Sequence, residues 1–334
     1  MKESGIKKLF RRSEFLVVCI LIAIWVCLSL INKNYATINN LCSILKTMSF
    51  YGIIAVGLSF VIIQGDSDIS TGASAGFSAV LGTALMLETK CMGMQGTNME
   101  WMGVVLCILL TMGFGLLIGM GNAAMVVKFN MPPFIATVAM QYVLNGMKMI
   151  ITNGAYVYPL PKTLLSFVKL GIKVGKGKIA ISFLILLALL AIAHYILTYT
   201  TYGRSVYATG SNKIMAQLSG VKTTRLRFRN YMVLHALVAL VGVLNAGYIK
   251  QGQPAIGNDW HLVIMAACAI GGIKFSGGGG NMIGLLIGLF TLFSINSAIA
   301  YIGINTFLQD VVIGAILMLI VVSDRIRSNQ KVRA

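Results

Sequence analysis

The chain alternates between long apolar runs and short polar breaks. Ten runs stand out, at about residues 15–31, 41–63, 69–87, 101–127, 134–151, 179–199, 230–249, 260–273, 281–300 and 306–323. Most hold roughly 17 to 25 residues, enough at a 1.5 Å rise to cross a hydrocarbon core of ~30 Å. The pattern predicts an all-α, polytopic helical membrane protein with about ten transmembrane helices over residues 15–323. A basic N-terminus (1–14) and a C-terminal tail (324–334) flank them.

Composition agrees: 57% of the residues are hydrophobic and 11% charged, and the mean hydropathy is +0.84. A soluble domain carries about 25% charged residues, so too few polar side chains exist here to cover a water-facing surface.

The formal charge is +18, yet its lysines and arginines form no separate basic domain with interleaved aromatics, which excludes nucleic acid as the partner to expect. They fall between the spans instead. With the N-terminus inside, 17 lie in inner segments and 8 in outer ones, while Lys46 and Lys148 sit within spans. This asymmetry predicts that both termini are cytoplasmic. No small-residue cleavage site follows the first run, so it reads as a retained span.

Two runs fit a simple crossing poorly. The second and third are separated only by QGDSDISTG, and the short eighth ends in GGIKFSGGGG, so broken or re-entrant helix is expected near both Gly-rich turns. Such backbone is tolerated at membrane depth only where protein or a water-filled cavity satisfies its polar groups. A shift of 206 positions superposes Gly65, Ser70 and Gly72 on Gly271, Ser276 and Gly278, and interrupted helices at corresponding places in two halves point to a transport site. The expected substrate pathway is therefore Gly65, Asp66, Asp68, Ser70, Gly72, Gly271, Gly272, Ser276 and Asn296. Glycines at four-residue spacing, Gly72/Gly76, Gly115/Gly119 and Gly280/Gly284/Gly288, are expected to let helix backbones approach closely.

Asp66 and Asp68 are the most conspicuous acids. Carboxylates beside apolar runs should face a cavity, protein interior or water. Three roles stay open: capping of the next helix by Asp68 or Ser70, contact with a solute, or exposure. No His or Arg partner for either acid is evident along the chain.

Between Thr201 and Asn230 the inner side carries a polar stretch expected to form one or two short amphipathic helices lying against a partner. It ends in the basic group Lys222, Arg225, Arg227 and Arg229, which also suits membrane lipid. The outer loop (152–178) holds Lys162, Lys169, Lys173, Lys176 and Lys178, a basic surface for solvent or an acidic protein.

Catalytic signatures are missing: His194, His235 and His261 are isolated, H-E-x-x-H and G-x-S-x-G do not occur, and GIKVGKGK lacks the Walker spacing. The six cysteines have no C-x-x-C spacing, so neither a disulfide framework nor a metal site is expected. No cofactor is expected in this chain.

MPPFIATVAM followed by Asn145-Gly146, the inner run GRSVYATGSNKIMAQLSGV, and GGIKFSGGGGNMIGLLIGLF together resemble the membrane permease subunits of ribose-type ABC sugar importers. The resemblance extends from the second span to Asp324. It implies a second permease chain, as a homodimer, a cytoplasmic ATPase that uses ATP and Mg, and an external or periplasmic solute-binding protein, all at a bacterial plasma (inner) membrane. Within it, residues 201–229 form a coupling loop whose Gly203, Arg204, Tyr207, Ala208, Gly210, Leu218, Ser219 and Gly220 match the surface that meets the ATPase. Gly65, Asp68, Ile69, Ser70 and Gly72 match the first turn, usually GGIDLSVG, with Asp66 and Ser67 replacing its second Gly and its Ile. The function to expect is import of a neutral, hydroxyl-rich solute, foremost ribose or a related monosaccharide. An ion-coupled secondary transporter is the main alternative, and an enzyme acting on lipid or polyprenyl substrates a weaker one.

Overall fold

The computed structural model describes residues 13–32, 34–93, 96–97, 99–303, 305, 308–315 and 318. Helix α1 (Ser13–Ile31) leads to α2 (Ile38–Ile63), whose first turn is capped by the Thr37 hydroxyl accepting from the Asn40 amide. After the first Gly-rich turn come α3 (Thr71–Glu88) and α4 (Glu100–Ala123), the latter running on through a π-helical turn, Ala124–Lys128. Pro133 opens α5 (Pro133–Thr152), a position where its missing N–H costs nothing.

The segment between α5 and α7 contains the short α6 (Lys162–Val168) and an antiparallel hairpin, β1 (Gly171–Val174) with β2 (Gly177–Ala180). Helix α7 (Ile181–Tyr199) descends to the polar stretch, which forms two short helices as expected: α8 (Thr201–Ser211), capped by Thr200, and α9 (Lys213–Leu218), capped by Asn212. Then follow α10 (Thr223–Ile249), α11 (Trp260–Ile270) and α12 (Met282–Ile302). Helical backbone resumes at 308–315; the rest of the expected run 306–323 lies largely outside the described residues.

Among the described residues, six helices are long and apolar enough to cross a membrane: α2, α4 with its π turn, α5, α7, α10 and α12. The molecule is thus a helical membrane protein. Helix α3 owes its place to burial rather than hydropathy. It is rich in Ala, Ser and Gly, and most of it is enclosed by α10, α5 and α4. Helix α2 is the axis of the core, packed by α7, α10, α11 and α12. Two glycine pairs bring helix backbones together as expected: Gly115 and Gly119 bring α4 onto the backbone of α10 at His235 and Tyr231, and Gly284 and Gly288 seat α12 on the end of α11 at Gly271 and Ala267; Gly72, Gly76 and Gly280 meet non-helical backbone instead.

Re-entrant backbone precedes α11. Gly252 packs at Thr83, the Ile256 carbonyl at Gly76 and the Gly257 carbonyl at Gly72. Residues 252–257 therefore descend along α3 by the distance from Thr83 to Gly72, about 16 Å at 1.5 Å per residue. Helix α11 starts deep in the protein, which is why only eleven residues form it.

Both Gly-rich turns begin with one local device. Gln64 and Gly271 end their helices at φ −75° and −70°, and Gly65 and Gly272 follow at φ +92° and +78°. The Gly65 and Gly272 amides return to the Ile62 and Ala269 carbonyls (2.9 and 3.0 Å), and those of Asp66 and Ile273 to Val61 and Cys268 (both 3.0 Å). This is the Schellman closure, whose left-handed residue favours glycine. It pairs Gly65 with Gly272, one position away from the register of the sequence superposition.

Candidate functional site

The two turns meet each other, and helix α8 meets both. The Gly278 amide donates to the Ile63 carbonyl at 2.8 Å, and the Tyr207 hydroxyl donates to the Gly280 carbonyl at 2.7 Å. Gly210 lies between them: a Cβ there would run into the Ile63 carbonyl oxygen and the Gly278 amide. Gly277 in turn faces the Gly65 Cα. A junction of glycines leaves bare backbone in contact, so no soft side chain absorbs a displacement of one element against the next.

Beside this junction lies a buried polar layer. Arg227 grips Asp66 through two parallel bonds, Nε to Oδ2 at 2.8 Å and a terminal guanidinium nitrogen to Oδ1 at 2.6 Å. Such a fork holds the carboxylate in orientation as well as in charge. Gln64 Nε2 donates to Asp66 Oδ2 at 2.9 Å, Asn230 Nδ2 donates to Gln64 Oε1 at 2.6 Å, and the Tyr202 hydroxyl donates to Asn230 Oδ1 at 2.6 Å. The chain Tyr202–Asn230–Gln64–Asp66–Arg227 ties the start of α8 to the first turn.

One step deeper, Asp68 is fully buried. Its Oδ1 accepts from the Ser70 amide (2.8 Å) and hydroxyl (2.6 Å), and its Oδ2 faces Asn122 Nδ2 (3.0 Å) and His235 Nε2 (2.9 Å). His235 Nε2 also lies 2.9 Å from Asn122 Nδ2, and its Nδ1 faces the Ser74 hydroxyl 3.0 Å away. Asp68 both closes an Asx turn onto the Ser70 amide, just ahead of α3, and forms a buried pair.

The two pairings correct the sequence reading, which saw no partner for either acid. It also placed Arg227 among the solvent- or lipid-facing cations; α10 begins at Thr223, so Arg227 belongs to a helix and is 6% exposed. A signal existed. Arg227, Tyr231, Leu234, His235 and Val238 recur at helical spacing on one face, all buried. Gln64, Asn122, Asn230 and Tyr202 had no such signature, because their partners lie far away in sequence.

The expected pathway residues divide. Gly65, Asp66, Asp68 and Ser70 share the first turn, and Gly271 and Gly272 close the second. Gly72 packs on the re-entrant backbone at Gly257, Ser276 is exposed, and Asn296 stands about 21 Å along α12 from Met282. The expected coupling residues divide as well. Gly203, Tyr207 and Gly210 point to the protein, whereas Arg204, Ala208, Leu218, Ser219 and Gly220 are exposed. Around them Ile214, Met215 and Leu218 present 68, 57 and 77% of their surface, an apolar knob on α9.

Residues 40–321 match the family described as branched-chain amino acid transport system / permease component. The chain is 31% identical over 306 residues to the ribose import permease protein RbsC of Bacillus subtilis (strain 168), covering 90% of this chain and 89% of that one. It is 28% identical over 320 residues to RbsC of Escherichia coli (strain K12), covering 95% and 94%. Over 334 residues it is 28% identical to the galactose/methyl galactoside import permease protein MglC of the same strain, covering 99% and 96%. No solved structure matches.

Proposed function

We propose, from the premise that this chain belongs to the branched-chain amino acid transport system / permease component family, that it is the translocation subunit of an ATP-driven importer of a small sugar, ribose or a related monosaccharide. ATP and Mg are used by a separate cytoplasmic ATPase, an external or periplasmic solute-binding protein delivers the sugar, and two copies of the permease enclose the route. About ten crossings place both termini in the cytoplasm of a bacterium.

The observation that carries this reading is the Gly210 junction. The exposed side of α8 and α9, with Arg204, Ala208, Leu218, Ser219 and Gly220, docks on the ATPase. Its inner side, through Gly210 and Tyr207, bears on both Gly-rich turns. Nucleotide-driven closure of the ATPase displaces α8, and the turns move with it, carrying Asp66 and Asp68 between two arrangements whose balance ATP shifts. A sugar sheds water along its path only where hydrogen-bond partners replace it.

Relatives named as import permeases favour this reading over the ion-coupled and enzymatic alternatives. Reconstitution tests it. Proteoliposomes with permease, ATPase and binding protein should accumulate ribose or galactose only with internal or external ATP at the ATPase face. Accumulation by the permease alone under a proton or sodium gradient would refute it.

A further inference from the structure

A groove of about 610 Å³ opens on the lipid-facing side between α2, α4, α7 and α10. Its length is apolar, with Ile192 and Val233 more than half exposed along it. From Leu189 to Thr200 on α7, or Leu237 to Arg229 on α10, it runs roughly 12 to 16 Å. That is one leaflet of a ~30 Å hydrocarbon core. Its polar residues, Thr200, Tyr202, Arg229 and Asn230, all stand at one end.

There it continues into a second hollow of about 380 Å³, which shares Tyr202 and Arg229 and adds Ser205, Ser219, Lys222 and Arg225. Lys222, Arg225 and Arg229 are exposed, and among the described residues none is within 4 Å of a carboxylate. An apolar slot of one leaflet's depth, capped by three unneutralised cations and serine hydroxyls, complements one kind of molecule: an acyl chain below a negatively charged headgroup.

We propose that these two hollows form a binding site for an anionic phospholipid, and that its occupancy regulates coupling between α8 and the first Gly-rich turn. The route is short. Tyr202, at the headgroup end, donates to Asn230, Asn230 to Gln64, and Gln64 to Asp66. A phosphate held by Arg229 beside Tyr202 fixes the origin of that chain and with it the entry of α8. The regulatory half rests on the importer reading; the binding half does not.

The test uses the full-length permease. Native mass spectrometry with equal phosphatidylglycerol and phosphatidylcholine should find phosphatidylglycerol retained. Replacing both arginines (Arg225→Gln with Arg229→Gln) should weaken that retention roughly tenfold or more, since each cation near anionic lipid adds its own attraction. Val233→Trp, filling the exposed groove, should lower it with the charges intact. Equal retention of the two lipids, or unchanged retention in both variants, would overturn the site. In the complete importer, phosphatidylglycerol should raise ATPase activity over phosphatidylcholine alone, and the double variant should lose that increase. A lipid that binds without changing the rate would overturn the regulatory half, whereas a permease that affects no ATPase in any lipid refutes the importer reading and leaves the binding result standing.

Discussion

Arg227 and Asp66 stand 161 positions apart and meet in a two-pronged ion pair, 2.6 and 2.8 Å, with side chains only 7 and 5% exposed. The pair joins the fifth residue of α10 to the turn between α2 and α3. Two charges withdrawn from water are tolerable because each neutralises the other and Gln64 supplies a further bond.

Breaking this pair leaves one charge buried and alone. Arg227→Met or Asp66→Leu singly should destabilise the purified permease by about 3–5 kcal/mol, while the two together should recover most of the loss. Thermal unfolding in detergent measures the cycle; singles and double of equal stability would show that the pair is not coupled.

Asp68→Asn removes charge but keeps an oxygen for the Ser70 amide. The turn therefore survives, whereas His235 Nε2 no longer faces a carboxylate. Uptake should fall well below half with the protein still folded. Asp68→Ala, which also removes the oxygen that accepts from Ser70, should lower the unfolding temperature further by the equivalent of about 1 kcal/mol for the lost hydrogen bond. Matching unfolding temperatures for the two variants would rule out a contribution from that turn.

Gly210→Ala inserts a methyl group where the Ile63 carbonyl and the Gly278 amide already sit. Transport and ATPase stimulation should drop at least tenfold while the chain still reaches the membrane. Arg204→Ala, on the exposed side of the same helix, should weaken co-purification of the ATPase and leave permease stability within about 0.5 kcal/mol of the parent. Indistinguishable behaviour of the two variants would dissolve the division of α8 into a docking side and a transmitting side.

Lys148 is 2% exposed and donates to Asn258 Oδ1 at 3.3 Å, with no carboxylate within 4 Å among the described residues. A buried ammonium so weakly compensated is costly. Lys148→Met should therefore keep or raise thermal stability, by up to about 4 kcal/mol. A fall in unfolding temperature would mean that the lysine holds the re-entrant segment in place.

Much of the fold is legible along the chain because hydrocarbon imposes a simple rule. Spans must be apolar, about 20 residues long and helical, and the runs at 41–63, 101–127, 134–151, 179–199 and 281–300 match their helices within three residues, whereas the run at 230–249 misses the first seven residues of its helix, Thr223–Ile249. The two short helices between Thr201 and Leu218 and the glycine contacts between helices are readable for similarly local reasons. The run at 260–273 was harder. Its shortness was visible, but the depth at which α11 starts depends on residues 252–257 lying along α3.

The candidate site was legible only in halves. Gly65, Asp68 and Gly210 carry local signatures, left-handed turn, Asx turn and tight approach, that a motif can record. Arg227, His235, Asn122 and Asn230 acquire meaning from partners between 52 and 167 positions away, and nothing in a residue's neighbourhood states who faces it across a helix interface.

Adjacent residues suffice to make this polypeptide a helical membrane protein with two glycine turns, a polar loop between spans and no Walker motif, since length, hydropathy and turn chemistry are local properties. Packing alone brings both turns and α8 together at Gly210 and sets a cation or an imidazole opposite each acid of the first turn. Those contacts are set by how the helices pack, where burying a carboxylate demands a partner and a glycine's missing side chain determines how near two backbones can come.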